Sequence, residues 1–380
     1  MAENILKADR SRLVEFVLAF CILTMMLDSG GELGLRNFGF IMLFGLCWRD
    51  PTFAINQRLF LGWMILVVLL VPSILRSAFA GVDLKGILIW VYPFLLFPII
   101  LMLTRATRLS VAPFVNAGLF FGLIIIALFW GRVTGEARLM WLNERLTSGA
   151  SGFFNQKQVY LESAMPVVYF QGTLSLVFVS ILAFGRRQYA HYFIMLFALI
   201  LAPSRFGVTV SVVAAYAFFM FNLKSTQQRV LWILIPFFSV AAFIPSLPTG
   251  FVEIFSGTSH GSVVRLGHII SLADAFNDDF TKILIGSGAG TFFYSSGFGS
   301  YTDNIEISQL ELFRKFGIFF FLAIIIGFVA LVFSLWRKGR KEIALAVAAQ
   351  FVVATSNPVL LTVSFLLFLS VAIRETEDFK

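Results

Sequence analysis

Ile318–Leu335 reads IFFFLAIIIGFVALVFSL, without one charge, between Arg314-Lys315 on one side and Arg337-Lys338 on the other. An α-helix rises about 1.5 Å per residue, so roughly 20 apolar residues cross the ~30 Å hydrocarbon core of a bilayer. Residues 59–75, LFLGWMILVVLLVPSIL, repeat the pattern. Reading outward in both directions gives twelve such runs, near 13–27, 38–48, 59–75, 86–103, 109–130, 163–184, 189–203, 206–223, 229–248, 312–336, 342–356 and 358–373. The second run is short and can extend through Leu33–Asn37. Asn357-Pro358 divides the last pair, so the expected number is ten to twelve. The expectation is an all-α polytopic membrane protein, with residues 1–380 forming one integral membrane domain.

Composition excludes the other classes. The 380 residues are 59% hydrophobic and 13% charged, with 46 Phe and a mean hydropathy of +0.89. Soluble domains run near 45–50% apolar and about 25% charged. Cys21 and Cys47, both in apolar runs, do not suggest a disulfide framework or a Cys-based zinc site. Three scattered histidines suggest no metal centre, so no metal and no cofactor is expected. The net charge of +8 fits anchoring of cytoplasmic loops better than nucleic-acid binding. The first run has a basic flank (Lys7, Arg10, Arg12) but no small-residue cleavage site, and is expected to be retained.

Basic residues also set the orientation. With the N-terminus inside, 17 of the 29 lysines and arginines fall in short inner loops, including Arg186-Arg187 and Arg337–Lys341. Both termini are then cytoplasmic. Two outer loops are long, 131–162 and 249–311. Loops of this length are usually functional or disordered. Trp141, Phe153, Phe154 and Tyr160 in the first argue for order. The second contains Val263–Phe280, whose apolar Val264, Ile269, Leu272, Ala273 and Phe276 predict a helix at the outer membrane interface. Chemistry is therefore expected on the outer side, away from nucleotides.

Several outer residues are candidates. Arg205, in Ala202-Pro203-Ser204-Arg205-Phe206-Gly207, sits at the boundary between two apolar runs. It reads either as a snorkelling helix-end arginine or as a cation facing a cavity. Its position on the side poorer in basic residues favours the second. Arg265 suits bidentate phosphate binding, or contact with lipid headgroups, with His268 and Asp274 as neighbours. Gly286-Ser287-Gly288-Ala289-Gly290 completes no nucleotide fingerprint and reads as a tight turn, with backbone NH groups able to meet an anion. In Thr302–Gln309, Asp303, Glu306 and Gln309 are three apart and would share a face on a helix. Glu306 is then a helix cap, or a general base with a pKa raised by burial. Arg145, Asn155, Gln156 and Lys157 in the first loop mix cationic and amide groups suited to sugar contact. Arg76, Asp83 and Lys85 read as a solvated surface.

Taken in order and by side, these elements resemble the O-antigen polymerase and ligase superfamily. Ser204-Arg205 at an outer helix end, Arg265, the Gly286-Ser287-Gly288 turn, and Glu306 followed by Gly317 carry the resemblance over roughly 150–360. Residues 304–317, NIEISQLELFRKFG, look most like the family's signature. The resemblance implies a metal-independent glycan transferase of the bacterial inner membrane with a periplasmic active site. The substrates implied are donor and acceptor glycans on undecaprenyl pyrophosphate, in contact with membrane lipid and without nucleic acid. It implies that Arg205 and Arg265 bind the pyrophosphate and that Glu306 acts on the acceptor hydroxyl, with Ser204, His268, Asn304 and the 145–157 residues around the substrate. The family's ligases carry His where Glu306 falls, which favours a Wzy-type polymerase that makes O-antigen or another surface polysaccharide. A chain-length regulator and a flippase are candidate partners. The alternatives are a ligase acting on lipid A–core or protein, and a lipid-linked glycan flippase, against which stands the absence of repeated halves.

Overall fold

Apolar runs become helices in the computed structural model, which describes residues 2–28, 34–47, 57–107, 109–138, 168, 171–202, 204–228, 260–305, 307–357 and 359–377. The helices are α1 (Ala2–Leu27), α2 (Leu35–Cys47), α3 (Gln57–Phe79), α4 (Leu84–Ala106), α5 (Ala112–Thr134), α6 (Ser175–Gly185, after a 3₁₀ turn), α7 (Tyr189–Leu201) and α8 (Arg205–Asn222). After α8 come α9 (His260–Asn277), the short α10 (Thr281–Ile285), an antiparallel hairpin of β1 (Phe293–Ser295) and β2 (Ser300–Thr302), then α11 (Ser308–Arg337), α12 (Lys341–Val353) and α13 (Val363–Arg374). Among the described residues, four segments are long and apolar enough to cross a membrane: Leu59–Phe79, Leu84–Arg105, Ala112–Thr134 and Ser308–Arg337. The fold is thus a mostly helical one of membrane type.

Several of the other expected spans correspond to helices too short to cross a bilayer. The helices over 38–48, 189–203, 342–356 and 358–373 have 12 or 13 residues, or about 20 Å, less than the hydrocarbon thickness. The 163–184 run yields the 11-residue α6. The 229–248 run and most of the 131–162 loop lie outside the described residues. Hydropathy reports an apolar run, whereas helix ends depend on turns and caps that hydropathy does not see.

The centre of the bundle is α6, buried at every position from Ser175 to Ala183. A helix apolar all round needs neighbours all round, and α5, α7, α8 and α12 supply them. Phe178 stacks on Phe368 at 4.6 Å, with Phe114 and Phe365 completing the cluster. Hydroxyls join helices where no water competes: Ser175 with Ser364 (2.9 Å) and Ser180 with Ser211 (3.1 Å). On α9 the buried face is Val264, His268, Leu272 and Phe276, while Val263, Leu266, Ile269 and Ile270 stay exposed. Ile269 therefore lies off the buried face, and α9 is apolar on two sides.

Helices α8 and α12 pack together. Lys341 Nζ donates to the Phe221 carbonyl (3.2 Å) and Phe221 meets Trp336 at 4.7 Å. The end of α8 thus adjoins the start of α12. The antiparallel pair puts Ser204 and Arg205 at the same end of the bundle as Ala354–Asn357.

Candidate functional site

That end of the bundle gathers the polar groups, and its geometry starts from a broken helix. Gly317 interrupts α11 with φ 80° and ψ 178°, a conformation almost restricted to glycine. The break frees carbonyls of the preceding turn, which need new donors. Ser287 N donates to the Arg314 carbonyl (2.6 Å), Gly288 N to the Lys315 carbonyl (3.2 Å), and Ser73 Oγ to the same oxygen (2.7 Å). The Gly-Ser-Gly turn therefore spends these two NH groups on α11, and they are not available to an anion. The approach is close on both sides. A Cβ on Gly286 would stand 2.1 Å from the Lys315 oxygen, and one on Gly317 would stand 2.2 Å from the Leu284 oxygen.

Just before the break is a buried charge cluster. Arg314 grips Glu311 with two bonds (Nε to Oε2 3.0 Å, Nη2 to Oε1 2.7 Å), and Lys315 Nζ lies 3.0 Å from the same carboxylate. All three side chains are at most 2% exposed. Arg314 also donates to the carbonyls of Thr291 (3.1 Å) and Asp303 (2.9 Å), and Lys315 to Asp303 O (2.6 Å). Thr291 and Asp303 flank the hairpin, so Arg314 clips both of its ends to α11. Phe293 and Trp90 cover the cations, with Lys315 Nζ 3.4 Å from the Trp90 ring centre.

The hairpin tip docks on α9. His268, wholly buried, shares a 2.7 Å bond between Nδ1 and Ser295 Oγ and stands edge-on to Phe298. Ser271 and Ser296 are joined by their hydroxyls at 3.0 Å, and Ser296 donates to Gly267 O (2.9 Å). Gly267 and Gly297 touch so closely that a Cβ on Gly267 would lie 2.4 Å from Gly297 N. Burial pushes the His268 pKa below its usual value; nearby Glu311 opposes the shift and Arg265 adds to it. His268 is therefore held neutral.

The expected site residues divide as follows. Arg265, half-buried, donates from Nη2 to the Ser356 carbonyl (3.3 Å). Ser308, which opens α11, bonds the same segment through its NH to Ala354 O (3.0 Å) and its hydroxyl to Asn357 O (2.8 Å). Arg265, His268 and Asn304 thus share one neighbourhood, framed by α9, the hairpin, the start of α11 and 354–357. Ser204 is buried against the first turn of α8, where Gly207 leaves room for its Oγ. Arg205 is the first residue of α8. The Arg205 side chain, Glu306, Arg145, Asn155, Gln156 and Lys157 lie outside the described residues.

One expectation is corrected. Helix α11 begins at Ser308, so Asp303 is not on a helix face with Gln309, and it is the Asp303 carbonyl that holds the cations. Arg76 and Asp83 are not simply solvated either. Arg76 forms an ion pair with Asp279 and donates to Thr281 (2.9 Å), and Asp83 caps α4 through Gly86 N (3.0 Å).

Side-chain atoms that are buried with no hydrogen-bond partner among the described residues include His268 Nε2, Asn304 Oδ1 (on a half-buried residue), Gln309 Oε1 and both amide atoms of Gln350. Gln309 Nε2 reaches Phe351 O (2.7 Å), next in sequence to Gln350. Such groups are rare in proteins and usually meet water or a ligand. Sequence reading passed over Glu311, Arg314 and Lys315. Their signal was three charges at i, i+3 and i+4 opening an otherwise apolar span. No protein-family model matches the chain, and no curated protein matches it.

Proposed function

We propose that the protein is a lipid-linked glycan polymerase of the bacterial inner membrane, acting at the end of the bundle where Arg205, Arg265 and His268 lie. The observation that carries this reading is the gathering of Arg265 and of the His268, Asn304 and Gln309 polar atoms, which meet no partner among the described residues, about the chain on either side of Glu306. An arginine and several amide groups beside apolar helices suit a substrate with a pyrophosphate head, a glycan and a lipid tail.

In the proposed reaction, the acceptor sugar hydroxyl attacks the anomeric carbon of the donor glycan. A new glycosidic C–O bond forms as the bond from that carbon to the pyrophosphate oxygen breaks. The hydroxyl proton passes to the Glu306 carboxylate, and polyprenyl pyrophosphate leaves with the bonding pair. Arg205 and Arg265 hold the charge that grows on the leaving group, the kind of term worth about 10²–10³ in rate per donor. His268 is placed by Ser295 and, being neutral, leaves the cationic role to the arginines.

The test is a gel of surface glycan from a deletion strain complemented with wild type, Arg205→Ala or Arg265→Ala. The expected pattern is a single repeat unit on the acceptor in the deletion strain and in both variants, with protein levels unchanged. Normal polymer from both variants would remove the pyrophosphate-binding role. Long polymer left on the lipid carrier, with none attached, would make the protein a ligase. Single lipid-linked units retained on the cytoplasmic face would make it a flippase.

A further inference from the structure

The same long helix carries a second feature at its other end. Beyond the break, α3, α4, α11 and α13 enclose an apolar groove of about 620 Å³. Its wall on α11 runs from Ala323 to Ser334. That stretch is about 16 Å at helical rise, close to the depth of one bilayer leaflet. The groove stops where Phe94 packs on Phe316 and Phe320, at 5.8 and 5.0 Å. Trp63, also in the wall, is fixed by an indole bond to Phe94 O (2.9 Å).

Two glycines shape this groove. Gly62 on α3 and Gly327 on α11 both line it, and a Cβ on either would meet nothing within 4 Å. Mid-helix glycine is unfavourable relative to alanine because it has more backbone freedom to lose. At two other helical glycines the cost has a packing reason: a Cβ on Gly118 would strike Val179 and one on Gly185 would strike Glu342, whereas Gly45 of α2, like Gly62 and Gly327, has open space. At Gly62 and Gly327 no described protein atom occupies the space the glycines leave.

The stripe Ala323–Gly327–Ala330–Ser334 continues, at helical spacing, to Arg337 and Lys338. Arg337 is exposed, lies over the Phe333 ring at 4.5 Å and has no carboxylate partner among the described residues. Lys338 donates to the carbonyl of Thr376, itself a wall residue. A one-leaflet apolar groove ending in basic residues, on the side that the basic loops assign to the cytoplasm, matches one amphiphile in both parts. We infer that the groove holds one acyl chain of an anionic inner-leaflet phospholipid, with its phosphate at Arg337 and Lys338. This site is separate from the glycan chemistry, and either can fail without the other.

Native mass spectrometry of the full chain, released from detergent after exposure to palmitoyl-oleoyl phosphatidylglycerol or the matching phosphatidylcholine, tests it. Wild type should retain one phosphatidylglycerol in preference to phosphatidylcholine. Gly327→Leu and Gly62→Leu, whose Cβ atoms would meet no described protein atom within 4 Å, fill the groove from opposite walls and should each cut retention at least tenfold. Arg337→Gln should abolish the preference for the anionic headgroup while keeping the chain. Retention unchanged in both leucine variants overturns the inference. So does a retained mass equal to a polyprenyl phosphate or to a second copy of the chain.

Discussion

Replacing Gly317 by alanine should open the joint between α11 and the 284–288 turn. Two costs add. Alanine at φ 80° and ψ 178° is strained by about 1–3 kcal/mol. Its Cβ would lie 2.2 Å from Leu284 O and 2.7 Å from Gly286 N. Those are backbone atoms and cannot swing aside. Retreat of the turn forfeits the bonds from Ser287 N and Gly288 N to α11, worth about 1 kcal/mol each. The expected loss is therefore about 3–5 kcal/mol, read from denaturant unfolding in mild detergent. Gly339→Ala is the control, since its φ is 75° with open space around it, and should show strain alone. Gly286→Ala attacks the same joint from the other side, with a Cβ 2.1 Å from Lys315 O. The double variant should lose much less than the summed losses, because one displaced turn relieves both clashes. A loss below about 1 kcal/mol at Gly317, or strict additivity with Gly286, would refute the argument.

Glu311→Leu leaves Arg314 and Lys315 buried without their carboxylate and should cost about 3–5 kcal/mol, with Glu311→Gln intermediate; thermal unfolding in detergent decides, and a negligible loss from Leu would mean that water reaches the cluster. His268 has a pKa below its usual value when folded, so its protonation opposes folding. Stability should be full above about pH 6.5 and fall as pH drops from there through the folded-state value; His268→Asn should flatten that slope between pH 7.5 and 5. Asp279 is held at about 2 by bonds from Thr281 and Arg76. Its contribution is present above the ordinary aspartate range and lost as pH falls through about 2; a carboxyl-carbon NMR titration should show that midpoint, and Arg76→Ala should raise it.

Hydropathy made the membrane class and the long helices α3, α4, α5 and α11 legible, because a charge-free run of some 20 residues has few other places to go. It could not separate spans from short buried helices such as α6, since both are apolar throughout. The order Arg265, Gly-Ser-Gly, Gly317 was also visible, but not what the glycines do. Gly286 meets the Lys315–Phe316 backbone and Gly317 the backbone of Leu284 and Gly286, across about thirty residues, and such a contact leaves no local periodicity. The same holds for Arg314, which reads as a flanking charge until the hairpin ends at Thr291 and Asp303 are brought to it. His268 was found as a neighbour of Arg265, yet its bond goes to Ser295, 27 positions on.

The break at Gly317 explains why one helix can serve two solvents. Toward its start, α11 presents Glu311, Arg314 and Lys315 to a hairpin whose carbonyls are polar partners. Past the break it presents Phe320, Ala323 and Gly327 to aromatic rings and an apolar groove. A continuous helix would keep the Arg314 and Lys315 carbonyls in its own ladder, leaving the 286–288 turn without acceptors and the hairpin without a floor. Interrupting the ladder there turns two carbonyls into docking points for the 286–288 turn, and the Phe94, Phe316 and Phe320 rings then separate the charges from the apolar groove. Moving the break toward the groove would turn those carbonyls to a mostly apolar lining of α3, α4 and α11 side chains, so the location of Gly317 matches where the polar layer ends.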